Sequence, residues 1–398
     1  MLDNILLILV LLILCAKLIG SLFERIGLDS TIGELLTGIA FGPSVLNLVS
    51  TESIESFAII GSVLILFVAG LKQRDILEIT KDKPAVALGI RMLFLTAVPM
   101  ALFFYAVPPL FHVQFTLLQA VVLGLAFAII DVGVPAKVLI GKGLISTPVG
   151  KVTIRAAIVN IMLGLLLFTI PTLFMGANLL TLEIKAIGMA LFLGITVLLV
   201  LFLSKVSRFV MKVHIEEAEF SLAIILVLAL SYLTELIGFS SILGAFIAGA
   251  IVARMPFAET RSFSAKVTSI SFGLFVPLFF VWFGLSIHLA EIWKSLGLAL
   301  LIFVAYSGLR FAIAYGYLKK KGYGMPALIA SSMLSVDVES LVILMVAMTL
   351  GIFSTAMPLT LFAPSVLLST LLIVVLVAAF SRTPQKINKA AALRKARA

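Results

Sequence analysis

Apolar residues run along this chain in long stretches divided by short polar loops. A bilayer-spanning helix needs about 20 such residues. Thirteen stretches approach or reach that length: 4–22, 31–49, 53–71, 85–107, 115–141, 149–173, 182–210, 218–237, 240–254, 266–287, 295–318, 325–350 and 357–380. The pattern predicts an all-α polytopic membrane protein. The ninth stretch is short and holds Gly244 and Gly249, which predicts a broken or buried helix. The first opens on Asp3 instead of a basic segment, and no small-residue cleavage site precedes the second, so it reads as a span and not a signal peptide.

Composition narrows the class further. Of 398 residues, 62% are hydrophobic and 12% charged, whereas soluble domains run near half apolar and about a quarter charged. A single cysteine, Cys15, excludes a disulfide scaffold, and three histidines leave little material for a transition-metal site. The net charge of +10 fits basic cytoplasmic loops and an anionic leaflet, not a nucleic-acid partner. Lys72, Arg74, Lys81, Lys83, Lys142, Lys151, Lys205, Arg208, Lys212, Arg254, Arg261, Lys266 and Lys319 to Lys321 all lie in the loops after odd-numbered spans. The positive-inside rule then predicts an external N-terminus and a cytoplasmic C-terminus. Residues 382–398 form a basic tail, too short for a regulatory nucleotide-binding domain. Trp282 and Trp293 are candidate interface anchors.

Polar breaks interrupt two spans at matching places. Asp131-Val-Gly-Val-Pro135 cuts the fifth, and Ser335-Val-Asp-Val-Glu-Ser340 cuts the twelfth. A step of seven spans inverts one half relative to the other. This predicts a first inverted repeat over 1–176, a linker helix over 177–213 and a second repeat over 214–381. Interrupted segments at matching positions of inverted halves point to a transporter's substrate site.

Charge near the bilayer centre costs roughly 3 kcal/mol even on insertion scales, so it needs a reason. Asp131, Asp337 and Glu339 are midplane carboxylates, and Asn160 is a neutral oxygen donor on the sixth span. Asp131 and Asn160 are the candidate ligands of a monovalent cation. Asp131 is also a candidate cap for the second half of its broken helix, a role compatible with the first, and Asn160 an interhelical hydrogen-bonding residue. Arg310 requires a partner, expected among Asp131, Asp337 and Glu339. Arg155, more than a turn toward the cytoplasm, snorkels or pairs with an acid. A carboxylate that holds either H⁺ or a cation, but not both, supplies the simplest chemistry of exchange without any enzyme or cofactor.

Several motifs together resemble the monovalent cation:proton antiporter-2 family, which includes bacterial Na⁺/H⁺ exchangers and Kef-type K⁺ efflux proteins. They are Leu22-Phe-Glu-Arg-Ile-Gly27, Ile32-Gly-Glu-Leu-Leu-Thr-Gly38, Phe41-Gly-Pro-Ser44, Ile65-Leu-Phe-Val-Ala-Gly-Leu71, Thr234-Glu-Leu-Ile-Gly238, Ile242-Leu-Gly-Ala-Phe-Ile-Ala-Gly249, Phe275-Val-Pro-Leu-Phe-Phe280 and Phe283-Gly-Leu285. The resemblance implies a six-helix core domain with two crossed, unwound helices, a dimerisation domain, a homodimer and an elevator-like movement of the core. It also implies a transport Asp on the sixth span, where Ala156-Ala-Ile-Val-Asn160-Ile161 stands instead. Ile161 occupies that position. Arg310 matches a basic position of the family.

The expectation is Na⁺/H⁺ or K⁺/H⁺ antiport with the ion site moved to Asp131 and Asp337 or Glu339. An uncoupled cation channel or uniporter, an anion or organic-acid carrier using Arg155 and Arg310, and a transport-dead sensor are the alternatives. Glu34 and Glu235 read as structural residues near helix ends. His214 with Glu216, Glu217 and Glu219 forms a mixed-charge cytoplasmic cluster.

Overall fold

The computed structural model describes residues 4–25, 30–71, 79, 81–173, 217–237, 241–336 and 338–381, with isolated positions between 183 and 198. The linker helix, Asp337, His214, Glu216 and the basic tail fall wholly or largely outside these described residues. The helices are α1 (Ile5–Arg25), α2 (Ser30–Phe41), α3 (Glu55–Leu71), α4 (Lys83–Ala106), α5 (Leu117–Ala126), α6 (Gly133–Gly141) and α7 (Pro148–Leu173). After the linker come α8 (Ala218–Leu236), α9 (Ser241–Val252), α10 (Arg261–Ile270), α11 (Val276–Leu285), α12 (Leu289–Lys320), α13 (Pro326–Ser332), α14 (Val338–Thr349) and α15 (Met357–Ser381). A π-helical turn, Ser271–Phe275, joins α10 to α11. Among the described residues, seven helices are long and apolar enough to cross a membrane, and five shorter apolar helices accompany them.

Local sequence explains the helix ends. α4 starts where the Asp82 side chain accepts the Ala85 amide at 3.2 Å, with Pro84 in the first turn. α5 starts on a reciprocal Thr116–Gln119 capping box. The second apolar stretch continues to residue 49, yet α2 stops at Phe41. Gly42-Pro43 ends it, because the residue before a proline is driven out of helical geometry. The chain then folds back, with Asn47 and Leu48 amides donating to the Gly42 and Phe41 carbonyls at 2.8 and 3.0 Å.

The helices sort into two packed groups. α1, α2, α3, α8, α9, α10 and α11 contact one another, as do α4 to α7 with α12 to α15. Between the groups contacts are sparse, chiefly α7 on α9 and α3 on α14. Within the first group, glycines set the closest approaches. A Cβ on Gly38 would overlap the Val281 carbonyl, and one on Gly284 the Leu35 carbonyl. Gly70 and Gly249 stand in the same reciprocal relation through the Phe246 and Phe67 carbonyls. The obstructing atoms are backbone, so neither can swing aside. Gly38→Ala is therefore expected to cost about 1–3 kcal/mol, read as a lower melting temperature of the detergent-solubilised protein. Trp282, one residue from the Val281 contact, is 6% exposed and belongs to this packing. It is a core residue and not an interface anchor. Trp293, at 78%, is exposed.

Candidate ion site at the crossed helix breaks

Both interrupted spans break at the leading edge of the polar sequence: the first is unwound over 127–132 and the second over 333–336, so Gly133 and Pro135 open α6 and Glu339 and Ser340 lie in α14. The first unwinds between α5 and α6, the second between α13 and α14. α5 packs on α14 and α6 on α13, so the two breaks meet. An interrupted helix leaves carbonyls at one end and amides at the other without ladder partners. In a lipid-embedded core, those groups must be satisfied by protein.

Three side chains do this. Asn160, fully buried on α7, donates from Nδ2 to the Ala128 carbonyl at 3.1 Å and accepts the Ile130 amide on Oδ1 at 2.9 Å. Arg310, fully buried on α12, donates from Nη1 to the Ser335 carbonyl at 2.8 Å, with Leu334 at 3.5 Å. Its Nη2 donates to the Ile129 carbonyl of the other break. One guanidinium thus ties both unwound segments together. Asp131 caps the start of α6: its two carboxylate oxygens accept the Gly133 and Val134 amides at 2.9 and 2.8 Å. The charges oppose the half-helix dipoles, a cation beside the carbonyl ends of α5 and α13 and an anion at the amide end of α6.

The sequence expectations are thereby sorted. The partners of Arg310 among the described residues are backbone carbonyls, not the carboxylates expected from charge counting. Broken helices present carbonyls a guanidinium can satisfy without burying a second charge. Tyr306 adds a ring 5.7 Å from the guanidinium carbon. Arg155 pairs with Asp82 at 2.8 Å, far from the breaks in sequence, and so ties α7 to the cap of α4. Asn160 braces the first break by its side-chain amide. Asn160→Ala removes a donor and an acceptor from a dry site and is expected to cost about 2 kcal/mol or more. Thermal melting in detergent reads this loss.

Asp131 and Glu339 reach a shared cavity of about 580 Å³ between the two helix groups. They are 9% and 8% exposed. Ile158 and Ile161 of α7 also line it. So do Lys17, Glu24, Glu34 and Lys137, none of which was a site candidate in the sequence. Glu34 had read as structural. Lys17 carried a usable signal, since an ionisable residue inside an apolar span is a functional candidate by default. Among the described residues, no group of three or more His, Cys, Asp or Glu could hold a metal ion together.

The sodium/hydrogen exchanger transmembrane family model matches residues 9–382. The chain belongs to the sodium/hydrogen exchanger family. It is thus a multi-pass membrane protein of a family of cation/proton antiporters. Two relatives from Bacillus cereus are the probable Na⁺/H⁺ antiporter GerT and the Na⁺/H⁺-K⁺ antiporter GerN. GerT is 28% identical over 72% of this chain and 75% of its own length. GerN is 27% identical over 73% of this chain and 75% of its own length. The fold matches the sodium proton antiporter MjNhaP1 of Methanocaldococcus jannaschii with a TM-score of 0.63, at 17% identity, over 94% of this chain and 95% of that one. For this exchanger-family chain, the likeness shows the overall helical fold.

Proposed function

We propose that the protein exchanges a monovalent cation, Na⁺ or K⁺, for protons, with Asp131 as the carboxylate that carries either but not both. The supporting observation is the position of Asp131, buried at a helix break and lining the cavity between the two groups. Each Asp131 oxygen accepts one amide, and a carboxylate oxygen accepts more than one partner, so capping a helix and binding a hard cation are compatible roles. Glu339 is the second acid on the same wall, and Asp337 joins it in sequence. Asn160 and Arg310 hold the breaks open in the shape the ion requires. Asn160 contributes to the ion shell only through the remaining lone pair of Oδ1, and Arg155 compensates charge at Asp82.

The architecture proposed is thirteen spans in two inverted halves. In its favour, α2 and α9 are each 12 residues long and carry glycines at the same two positions, Gly33 and Gly38, Gly244 and Gly249. The basic loops favour a cytoplasmic opening for the cavity, with exposed Glu24 and Lys137 at its mouth. α4 to α7 and α12 to α15 then form the moving core of an elevator, sliding against the first group, through which the protein forms a homodimer. The exposed row Leu6, Val10, Leu14, Leu18 and Leu22 on α1 suits a lipid or protomer contact. An anion carrier fits less well, because the Asp131 carboxylate already occupies the amide end of α6.

The test is proton movement in sealed proteoliposomes under an imposed pH gradient, with Na⁺, K⁺ and Li⁺ added in turn. Cation-dependent proton flux is the expected result. Cation flux without proton counterflow would establish the uncoupled channel instead.

A further inference from the structure

The cavity wall supplied by the first helix group carries an ion pair that the exchange chemistry above does not use. The Lys17 ammonium lies 2.8 Å from the Phe272 carbonyl and 3.4 Å from Glu34 Oε1. The Phe272 carbonyl is available for a specific reason. In the π-helical turn the Val276 amide donates to the Ser271 carbonyl. The next bond in that register would run from residue 277 to Phe272, but Pro277 has no N–H. A backbone acceptor is left facing the cavity, and Lys17 supplies the donor. The Lys17 side chain is 44% exposed, whereas that of Glu34 is 4% exposed. The ammonium is thus pinned by backbone geometry at the edge of the cavity, beside a buried carboxylate on the neighbouring helix.

We propose that Lys17 is a specificity-determining residue: a resident cation, anchored on the Phe272 carbonyl, that compensates Glu34 and so sets how strongly the cavity holds the exchanged cation. This rests on the exchange proposed above. Among the described residues, the charged groups lining the cavity are the carboxylates Glu24, Glu34, Asp131 and Glu339 and the ammoniums Lys17 and Lys137. Removing the Lys17 charge deepens the negative potential felt by a cation at Asp131. Removing the Glu34 charge leaves the ammonium to repel it. Either change alters the field across the cavity without touching the ion.

The experiment is Na⁺ binding to the purified full chain in detergent, by isothermal titration at fixed pH, beside proteoliposome transport. Lys17→Gln keeps an N–H donor, one bond shorter, and removes the charge. It is expected to tighten Na⁺ binding by about fivefold, and Glu34→Gln to weaken it by about fivefold. The double variant is expected to return to within about twofold of wild type. Opposite shifts that cancel support the inference. A merely structural pair would weaken binding in both single variants without recovery in the double, and that pattern overturns it. Unchanged affinity in both singles, with wild-type exchange intact, overturns this inference alone. Tunable binding without proton-coupled flux would support it while overturning the exchange. An absence of Na⁺ binding by wild type would overturn both.

Discussion

Asp131→Asn is expected to abolish cation-dependent proton movement in proteoliposomes, down to the level of empty vesicles, while the protein remains folded. The substitution separates the two roles of the side chain. As a cap, Asp131 accepts the Gly133 and Val134 amides, and Asn is an equally favoured capping residue because its amide oxygen can accept one of them. As an ion carrier, Asp131 must alternate between a proton and a metal cation. A neutral amide can do neither, and uncharged oxygen alone holds a monovalent cation weakly in a site reached from water. The expected result is therefore an unchanged size-exclusion profile, a melting temperature within a few degrees of wild type and no flux. Asp131→Glu, which keeps the charge but displaces it by a methylene, is expected to retain reduced exchange. Full transport by Asp131→Asn would move the ion site to Glu339 and its neighbours.

Arg310→Met is expected to have the largest effect on stability. The side chain is completely buried, and its guanidinium meets carbonyls from both breaks. Methionine fills much of the volume but donates nothing. Three carbonyls then lose their charged donor in a region without water. Each buried acceptor left unsatisfied costs about 1–3 kcal/mol, so the loss is a large part of the margin that keeps a protein folded. The purified variant is expected to melt well below wild type and to aggregate on size exclusion. Arg310→Lys keeps the charge and satisfies one break but cannot span both in the planar fork of arginine. It is expected to fall between the two. An Arg310→Met variant as stable as wild type would mean that the carbonyls find other donors.

The positions of the breaks were legible in the sequence because their cause is local. Gly133 and Pro135 stand in the first turn of α6, and the polar run from Ser335 begins just past the end of α13, so each marks a helix boundary through its own neighbours. The early end of α2 was equally local, at Gly42-Pro43, but the apolar residues up to 49 concealed it. The partner of Arg310 was not legible. Charge counting looks for carboxylates, since side chains are what a sequence displays, while every residue carries a carbonyl and none is marked as orphaned. The anchor of Lys17 is an intermediate case. Pro277 is visible, but its consequence for Phe272 depends on the π register that the helix adopts there.

The sequence by itself determined the membrane class, the helical content, the two interruptions and the family motifs, because all of these follow from the length and spacing of apolar runs and from residues acting on their near neighbours. Only the tertiary structure decided that Arg310 joins both breaks, that Asn160 braces one of them, and that Glu34 and Lys17 share a cavity with Asp131. These pairings join residues from separate helices. The first two arise when two unwound segments are brought together and their backbone groups must be satisfied inside the protein; the third follows from the cavity left between the two helix groups.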